Sequence, residues 1–304
     1  MPSLRHQLLT LVIPRLRGSG EVRTDEEVGR LRADIVAAQD RADPSPPRSV
    51  AKAFKISRSE AGGVPVFDLR EPGTAPVRTV LYLHGGGFVS TLDRFHWRYA
   101  ARLARRLGVR VVLPAYPLTP RHTWRDALPS LLELFERLAI ESSQGVVLMG
   151  DSAGGGLATL LAQHVARRPG PQPTHLVAFA PWLDLTGTTP GTDQARLRDP
   201  WLTLTKLEVY GAWWAGDPTG DPAGDPDRLD PSPLANDPAG LPPTLLFCGT
   251  RDLLHPQALA FVAKARAAGV EVDYVEGPGM LHVYPLLPVP EAASAFATVE
   301  AFLR

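Results

Sequence analysis

A repeated alternation of short apolar runs and helical stretches constrains the fold of this 304-residue chain more than any other feature. The predicted strands are Val64–Leu69, Thr79–Leu83, Val109–Leu113, Val146–Met149, His175–Phe179, Thr244–Cys248 and Val270–Val275. The middle runs are apolar almost throughout, which is typical of strands covered on both faces. The pattern therefore predicts an α/β fold, a mostly parallel sheet with helices on both faces and right-handed crossovers.

The segment 1–60 has a different pattern, which predicts helices only. A short amphipathic helix is limited by Pro14, and its recurring apolar positions are Leu4, Leu8, Leu11 and Val12. A second helix begins at the N-cap Thr24, with Glu27 three residues later in a capping box. The predicted buried face of that helix consists of Val28, Leu31 and Ile35. We expect 1–60 to form an N-terminal helical cap segment and 61–304 to form the main domain.

A long segment, about 183–241, interrupts the strand–helix rhythm. It contains one predicted helix, Thr203–Ala215, and the tryptophans Trp201, Trp213 and Trp214. A large insertion in a compact domain is usually functional, so we expect this one to belong to a cap over the site.

The composition excludes several classes of function. Lys plus Arg total 32 and Asp plus Glu total 32, so no net positive charge favours nucleic acid or anionic lipid. The single cysteine, Cys248, cannot form an intrachain disulfide. The apolar run Leu8–Ile13 is too short to span a bilayer, and no cleavage site follows it. We expect a cytoplasmic protein without a membrane span or nucleic-acid partner. The sequence leaves the oligomeric state open, a homodimer included.

The strongest chemical signal is the pentapeptide Gly150-Asp151-Ser152-Ala153-Gly154. It follows a predicted buried strand and precedes a helical run, Leu157–Ala166. This is the strand–turn–helix context of a G-x-S-x-G nucleophile elbow, in which a strained tight turn exposes the serine hydroxyl. Glycines flank the serine because side chains there would collide with neighbouring backbone. Ser152 is therefore the predicted nucleophile, and Asp151 is expected to brace the turn.

A second signal, His84-Gly85-Gly86-Gly87-Phe88, follows the strand Thr79–Leu83. Backbone N–H groups without side chains can approach a substrate oxygen and stabilise the negative charge of a tetrahedral intermediate. We expect oxyanion donors from Gly85, Gly86 and Gly87, with a further N–H from Ala153 at the start of the next helix. His84 is interpreted as a residue that organises this loop.

A nucleophilic serine needs a base and an orienting carboxylate, and in α/β-hydrolases the chain order is serine, acid, histidine. Asp252 and His282 follow two late strands, so both are expected with Ser152 at the carboxyl edge of the sheet. His255 is the alternative base and Glu276 the alternative acid. No metal-ligand grouping or nucleotide-binding fingerprint is present in the sequence, and no cofactor is expected.

These motifs together resemble one family, the hormone-sensitive-lipase-like esterases with an HGGG loop. The matching segments are HGGGF at 84–88 and GDSAGG at 150–155. Tyr116–Pro120 is similar to the family's Y-R-L-A-P with two departures, 180–185 to S-P-W-x-D-L, and 199–201 to D-P-W. The segment that follows the acid, Leu253-Leu254-His255, departs from the family pattern D-P-L-x-D.

The resemblance implies an eight-stranded α/β-hydrolase fold with a helical cap built from the N-terminal helices and an insertion after the sixth strand. It also implies the triad Ser152, Asp252 and His282 and a small-molecule ester substrate.

The resulting hypothesis is serine-dependent hydrolysis of carboxylic esters with short to medium acyl chains. Phe88, Trp213 and Trp214 are the predicted pocket residues, although the two tryptophans could equally anchor the cap helix in the core. An amidase, deacetylase or lactone hydrolase with the same triad remains an alternative. A non-catalytic small-molecule receptor on the same fold is a further one.

Overall fold

A computed structural model describes residues 2–17, 20–217 and 229–304. Its centre is an eight-stranded sheet with the strand order β1-β2-β4-β3-β5-β6-β7-β8. The strands are β1 Lys55–Ala61, β2 Val64–Arg70, β3 Thr79–Leu83, β4 Arg110–Pro114, β5 Val146–Asp151, β6 His175–Phe179, β7 Thr244–Gly249 and β8 Val272–Gly277. β2 pairs antiparallel with β1 and β4, and the strands from β4 to β8 pair in parallel. The α/β expectation is thus confirmed.

Helices cover both faces of the sheet. They are α1 Leu4–Arg17, α2 Asp25–Arg41, α3 Arg48–Ala53, α4 Arg94–Leu107, α5 Trp124–Glu141, α6 Ser152–Ala166, α7 Thr192–Arg196, α8 Leu204–Ala215, α9 His255–Ala267 and α10 Glu291–Phe302. Successive side chains of a strand point to opposite faces. Leu81 accordingly belongs to the apolar cluster that includes residues of α5, α6 and α9, whereas its neighbour Tyr82 belongs to the cluster that includes residues of α4 and α10.

The edge strand β1 is absent from the sequence-based expectation. Its side chains are mostly exposed and polar, so no apolar run marks it, and the backbone pairing with β2 alone defines it. Residues 55–60 therefore belong to the sheet, although the expected boundary of the N-terminal helical segment is at residue 60.

The first helix also differs from its expectation. α1 continues past Pro14 to Arg17. The stripe Leu4, Leu8, Leu11 and Val12 faces solvent, and the buried side of the helix consists of His6, Thr10 and Ile13. Helical spacing identifies one face of a helix, but it does not show which face the remainder of the protein covers. In α2 the capping box of Thr24 and Glu27 is present. Its apolar positions are only half-buried.

The N-terminal helices and the insertion lie near the loops at the carboxyl ends of the strands. Gln39 of α2 donates hydrogen bonds to the carbonyls of Val89 and Thr119. The N–H of Val22 donates to Thr205 Oγ1 in α8, which lies between β6 and β7. Among the helices of the described ranges, none combines the length and apolar character needed to cross a bilayer.

Candidate active site

Ser152 lies at the junction of β5 and α6, as the strand–turn–helix motif predicts. Its φ is +52°, in the left-handed region that non-glycine residues rarely adopt. A Cβ on Gly150 would lie 2.4 Å from the carbonyl oxygen of Gly154, and a Cβ on Gly154 would lie 2.2 Å from that of Leu83. Both glycines are therefore sterically required, and together they allow the turn that exposes the Ser152 side chain.

The structure brings Ser152, His282 and Asp252 into one hydrogen-bonded chain. Ser152 Oγ lies 2.8 Å from His282 Nε2, and His282 Nδ1 lies 2.8 Å from Asp252 Oδ2. Asp252 and His282 are buried, whereas Ser152 is half-buried and accessible to substrate. Asp252 Oδ1 also accepts the N–H of Leu254, which fixes the carboxylate plane. The arrangement has the geometry of a serine, base and acid relay.

Two opposing effects set the pKa of His282. Burial lowers it, while the charge of Asp252 and the hydrogen bond to that carboxylate raise it, and the net pKa is raised. The Asp252 carboxylate also favours the tautomer that carries its proton on Nδ1. Nε2 is then free to accept the Ser152 proton.

The alternative base and acid pair with each other instead. His255 Nε2 lies 2.8 Å from Glu276 Oε2. Glu276 is exposed, and no hydrogen bond within the described chain joins either residue to Ser152. The geometry therefore favours His282 and Asp252 over His255 and Glu276.

The N–H groups of the glycine loop after β3 differ in whether they already have a hydrogen-bond partner. The Gly85 N–H donates to Asp151 Oδ1 at 3.1 Å, so the structure assigns Gly85 to bracing rather than to oxyanion binding. In the described part of the chain, no hydrogen bond uses the N–H of Gly86 or Gly87. Ala153 is buried in the first turn of α6, where N–H groups lack intrahelical partners. Gly86, Gly87 and Ala153 therefore offer the available donors.

Asp151, inside the elbow, connects the nucleophile turn to the glycine loop. Besides the Gly85 N–H, its carboxylate accepts the Tyr82 hydroxyl at 2.8 Å and lies 3.5 Å from His96 Nε2. Burial lowers the pKa of His96, but Asp151 and Asp93 raise it to a net value of about 10. His96 thus pairs with Asp151 beneath the loop.

The environment of His84 fits the loop-organising role predicted for it. Its ring is fully buried and stacks on Tyr116 at 4.2 Å between centroids, and the Tyr116 hydroxyl donates to the His84 carbonyl. Burial, followed by the charge of His96, lowers the pKa of His84 to about 4. His84 is therefore neutral, and it fixes the backbone where the glycine run begins.

Asp199 and Trp201 lie beside the triad, although neither is among the predicted site residues. Asp199 accepts the N–H of Leu253 at 2.7 Å and that of Trp201 at 2.7 Å, so it joins the insertion to the loop that carries Asp252. The Trp201 ring lies edge-on to His282, 5.5 Å between centroids. Burial and the charge of Asp252 raise the pKa of Asp199. The sequence feature that could have identified Asp199 and Trp201 is the D-P-W segment, which is part of the family resemblance.

Cys248, near the end of β7, lies against the acid of the triad, Asp252. Its side chain is fully buried, and its Sγ lies 3.8 Å from Asp252 Oδ2. Burial and the Asp252 charge raise the pKa of the thiol well above its ordinary value, so the thiol is protonated at neutral pH.

The predicted pocket residues have unequal environments. Phe88 and Trp214 are each at most 2% exposed and stack face to face at 4.1 Å, and Phe88 also stacks on Trp182. Trp213 is half-buried beside Tyr210. This burial favours the interpretation that Trp214 anchors α8 in the core. A cavity of about 310 Å³ lies along α8, but Ser152, Asp252 and His282 do not line it.

We expect Trp214→Ala to lower the free energy of unfolding by about 3–5 kcal/mol, because it removes a buried indole and leaves a cavity. Trp213→Ala, at the preceding and only half-buried position of α8, is the matched control and should lower the free energy of unfolding by less than about 1.5 kcal/mol. Urea unfolding of both variants measures the difference. Equal losses would contradict the anchoring role.

Known proteins place the chain in a family. A family model described as α/β hydrolase fold matches residues 80–286. The ethyl acetate hydrolase of Pseudomonas putida is 35% identical over 246 residues, which cover 75% of this chain and 74% of that protein. An esterase of Acinetobacter venetianus is 29% identical over 232 residues, 73% of each chain.

Solved structures agree with this. The crystal structure of an esterase from the bacterial hormone-sensitive lipase family matches with a TM-score of 0.78 at 26% identity, covering 100% of this chain and 99% of that chain. The motif resemblance is thereby confirmed. The chain belongs to the α/β-hydrolase family, in its hormone-sensitive-lipase-like carboxylesterase group.

Proposed function

We propose that this chain, a carboxylic-ester hydrolase of the family, acts through an acyl-enzyme formed on Ser152. The observation that carries the proposal is the continuous hydrogen-bonded chain from Asp252 through His282 to Ser152 Oγ. The ethyl acetate hydrolase among its relatives supports a small-molecule ester with a short to medium acyl chain.

In the first step, His282 Nε2 accepts the hydroxyl proton as Ser152 Oγ attacks the ester carbonyl carbon. The carbonyl oxygen becomes an oxyanion, which the N–H groups of Gly86, Gly87 and Ala153 stabilise, each worth about 3 kcal/mol of barrier. The tetrahedral intermediate then collapses. The imidazolium returns its proton to the leaving alkoxide, an alcohol departs, and the acyl group stays on Ser152.

In the second step, water replaces the alcohol. His282 accepts a proton from the water as its oxygen attacks the acyl-enzyme carbonyl, and the same donors stabilise the second oxyanion. Collapse releases the carboxylic acid and restores the Ser152 hydroxyl with the proton from His282. Asp252 keeps the ring in the productive tautomer and stabilises its cationic form throughout.

We further propose that the N-terminal helices and the insertion form the cap of this site. Three contacts support this: α2 reaches the glycine loop through Gln39, the N-terminal segment reaches α8 through Val22, and the insertion reaches His282 through Trp201. The cap then limits the size of the acyl and alcohol groups that reach Ser152.

The direct test is a rapid-mixing experiment with p-nitrophenyl acetate followed by acid quenching. A stoichiometric burst of p-nitrophenol, with an acetyl group mapped by mass spectrometry to the peptide that contains Ser152, would support the proposal. Turnover without any covalent acetyl group, or with the group on another residue, would contradict it. Matched esters and amides with one acyl group then separate an esterase from an amidase.

The pH dependence follows from the raised pKa of His282. The free enzyme needs neutral His282, so kcat/KM should fall as the pH drops through that pKa, which lies above the ordinary value of about 6.5. Removing the Asp252 charge removes the main raising effect, so residual activity of Asp252→Asn should have its acid limb at lower pH. A profile that is flat between about pH 5 and 8 would contradict the role of His282.

A further inference from the structure

Residues 2–6, at and just before the start of α1, contact the His282 loop and the start of α10 at three points. Ser3 Oγ donates to Glu291 Oε2 at 3.0 Å, where α10 begins. A Cβ on Gly279 would lie 2.8 Å from Pro2 Cγ, so these two segments of the chain are in close contact there. Between these points, His6 Nε2 accepts the N–H of Leu281 at 3.0 Å. Residues 2–6 therefore contact the 279–291 segment near both of its ends.

The environment of His6 favours Nε2 as a hydrogen-bond acceptor. Its side chain is 1% exposed, and its carbonyl accepts the Thr10 hydroxyl on the same buried face of α1. Burial lowers the pKa of His6, Glu291 opposes this, and Arg251 adds to it, so the net pKa is lowered. A neutral ring with its proton on Nδ1 presents an unprotonated Nε2 to the Leu281 N–H.

The accepted N–H belongs to the residue immediately before the base. Leu281 is fully buried, so without His6 its N–H would lose the partner that the structure gives it. On the other side of His282, Val283 has a φ of +47°, a conformation that the surroundings must enforce. The backbone is thus constrained both before and after the catalytic ring.

We propose that His6 is a positioning residue, which fixes the Met280–Leu281 peptide just before His282 and so keeps Nε2 of His282 aligned with Ser152. The inference rests on the proposed function, because it assigns His6 an effect only through the base. Loss of the acceptor would leave this peptide held only through the Met280 carbonyl, which accepts the Arg251 N–H at 3.0 Å. Since a displacement of about 1 Å at a reacting group can cost up to 100-fold, the expected loss in kcat is about 10- to 100-fold.

The test compares His6→Leu with His6→Gln in the full chain, using p-nitrophenyl butyrate. Leucine fills the buried site without an acceptor, whereas the glutamine carbonyl oxygen can take the place of Nε2. We expect His6→Leu to lower kcat about 10- to 100-fold with little change in KM, and His6→Gln to restore most of it. Leu8→Ala, on the exposed face of α1, is the matched control and should keep the wild-type kcat.

A fluorophosphonate probe provides a second measurement, since its phosphonyl group is transferred to an activated serine hydroxyl with loss of fluoride. The labelling rate of Ser152, counted per folded molecule, should fall in His6→Leu and recover in His6→Gln. If His6→Leu does not fold, His6→Asn replaces it, because its amide is too short to reach the position of Nε2.

The outcomes distinguish a failure of the proposed function from a failure of the positioning role of His6. Absence of Ser152 labelling in the wild type would show that the proposed function is wrong. Normal labelling of the wild type, with equal rates in His6→Leu, would overturn the positioning role alone. An equal loss in His6→Leu and His6→Gln would also overturn it, because that result indicates packing rather than an accepted hydrogen bond.

Discussion

Ser152→Ala should lower kcat for p-nitrophenyl butyrate by about 10⁵- to 10⁶-fold, to the level of catalysis by binding and oxyanion donors alone. In the proposed mechanism the hydroxyl is the one group of the triad that forms a bond to the substrate carbon, so neither His282 nor Asp252 can replace it. KM should change little, because the remaining contacts with the ester persist. Initial rates of extensively purified protein, with wild-type contamination bounded by titration, measure the effect.

Two further variants make this result decisive. Ser152→Gly removes the same hydroxyl and adopts a φ of +52° without steric strain, so it should be inactive and as stable as the wild type. Ser59→Ala replaces an exposed serine on β1 and should keep full activity. Turnover in Ser152→Gly within tenfold of the wild type would require a different nucleophile.

Asp252→Asn should have the second largest effect, a loss in kcat of about 10⁴-fold. The asparagine carbonyl can keep the hydrogen bond from the Leu254 N–H, which directs the amide NH₂ toward His282 Nδ1. That donor favours the tautomer with the proton on Nε2, and such a ring cannot accept the Ser152 proton. The positive charge on His282 in the transition state also loses its counterion.

The matched control is Glu276→Gln, which changes the alternative acid in the same way. Glu276 contacts His255 rather than His282, so its kcat should stay within about twofold of the wild type. Full kinetics of both variants at several pH values distinguish a lost acid from a general loss of fold. A larger loss in Glu276→Gln than in Asp252→Asn would exchange the roles of the two carboxylates.

The sequence predicts those parts of the site that local chemistry determines. The turn at Ser152 follows from glycines that have no room for a Cβ, and the parallel sheet brings the loops after β5, β7 and β8 to one edge. The placement of Asp252 and His282 near Ser152 therefore needs only strand order and loop position.

Other parts depend on tertiary contacts that no local pattern encodes. His6 reaches Leu281 across nearly the whole chain, and Asp199 reaches Leu253 from the insertion. Both depend on how helices and loops dock, which periodicity does not specify. The use of the Gly85 N–H by Asp151 is similar, since a glycine run indicates a close backbone approach but not which partner each N–H receives.

The buried thiol of Cys248 gives the molecule an internal reporter of its own opening. A protonated sulfur without solvent access reacts with a thiol reagent only in molecules in which the region around Cys248 and Asp252 is transiently exposed. Because it is the one cysteine of the chain, its modification rate relative to a free thiol gives the free energy of that opening directly. A slow rate that approaches global unfolding would show that the carboxylate, the base and the core open as a single cooperative unit. A faster rate would identify the loop after β7 as a separately fluctuating unit.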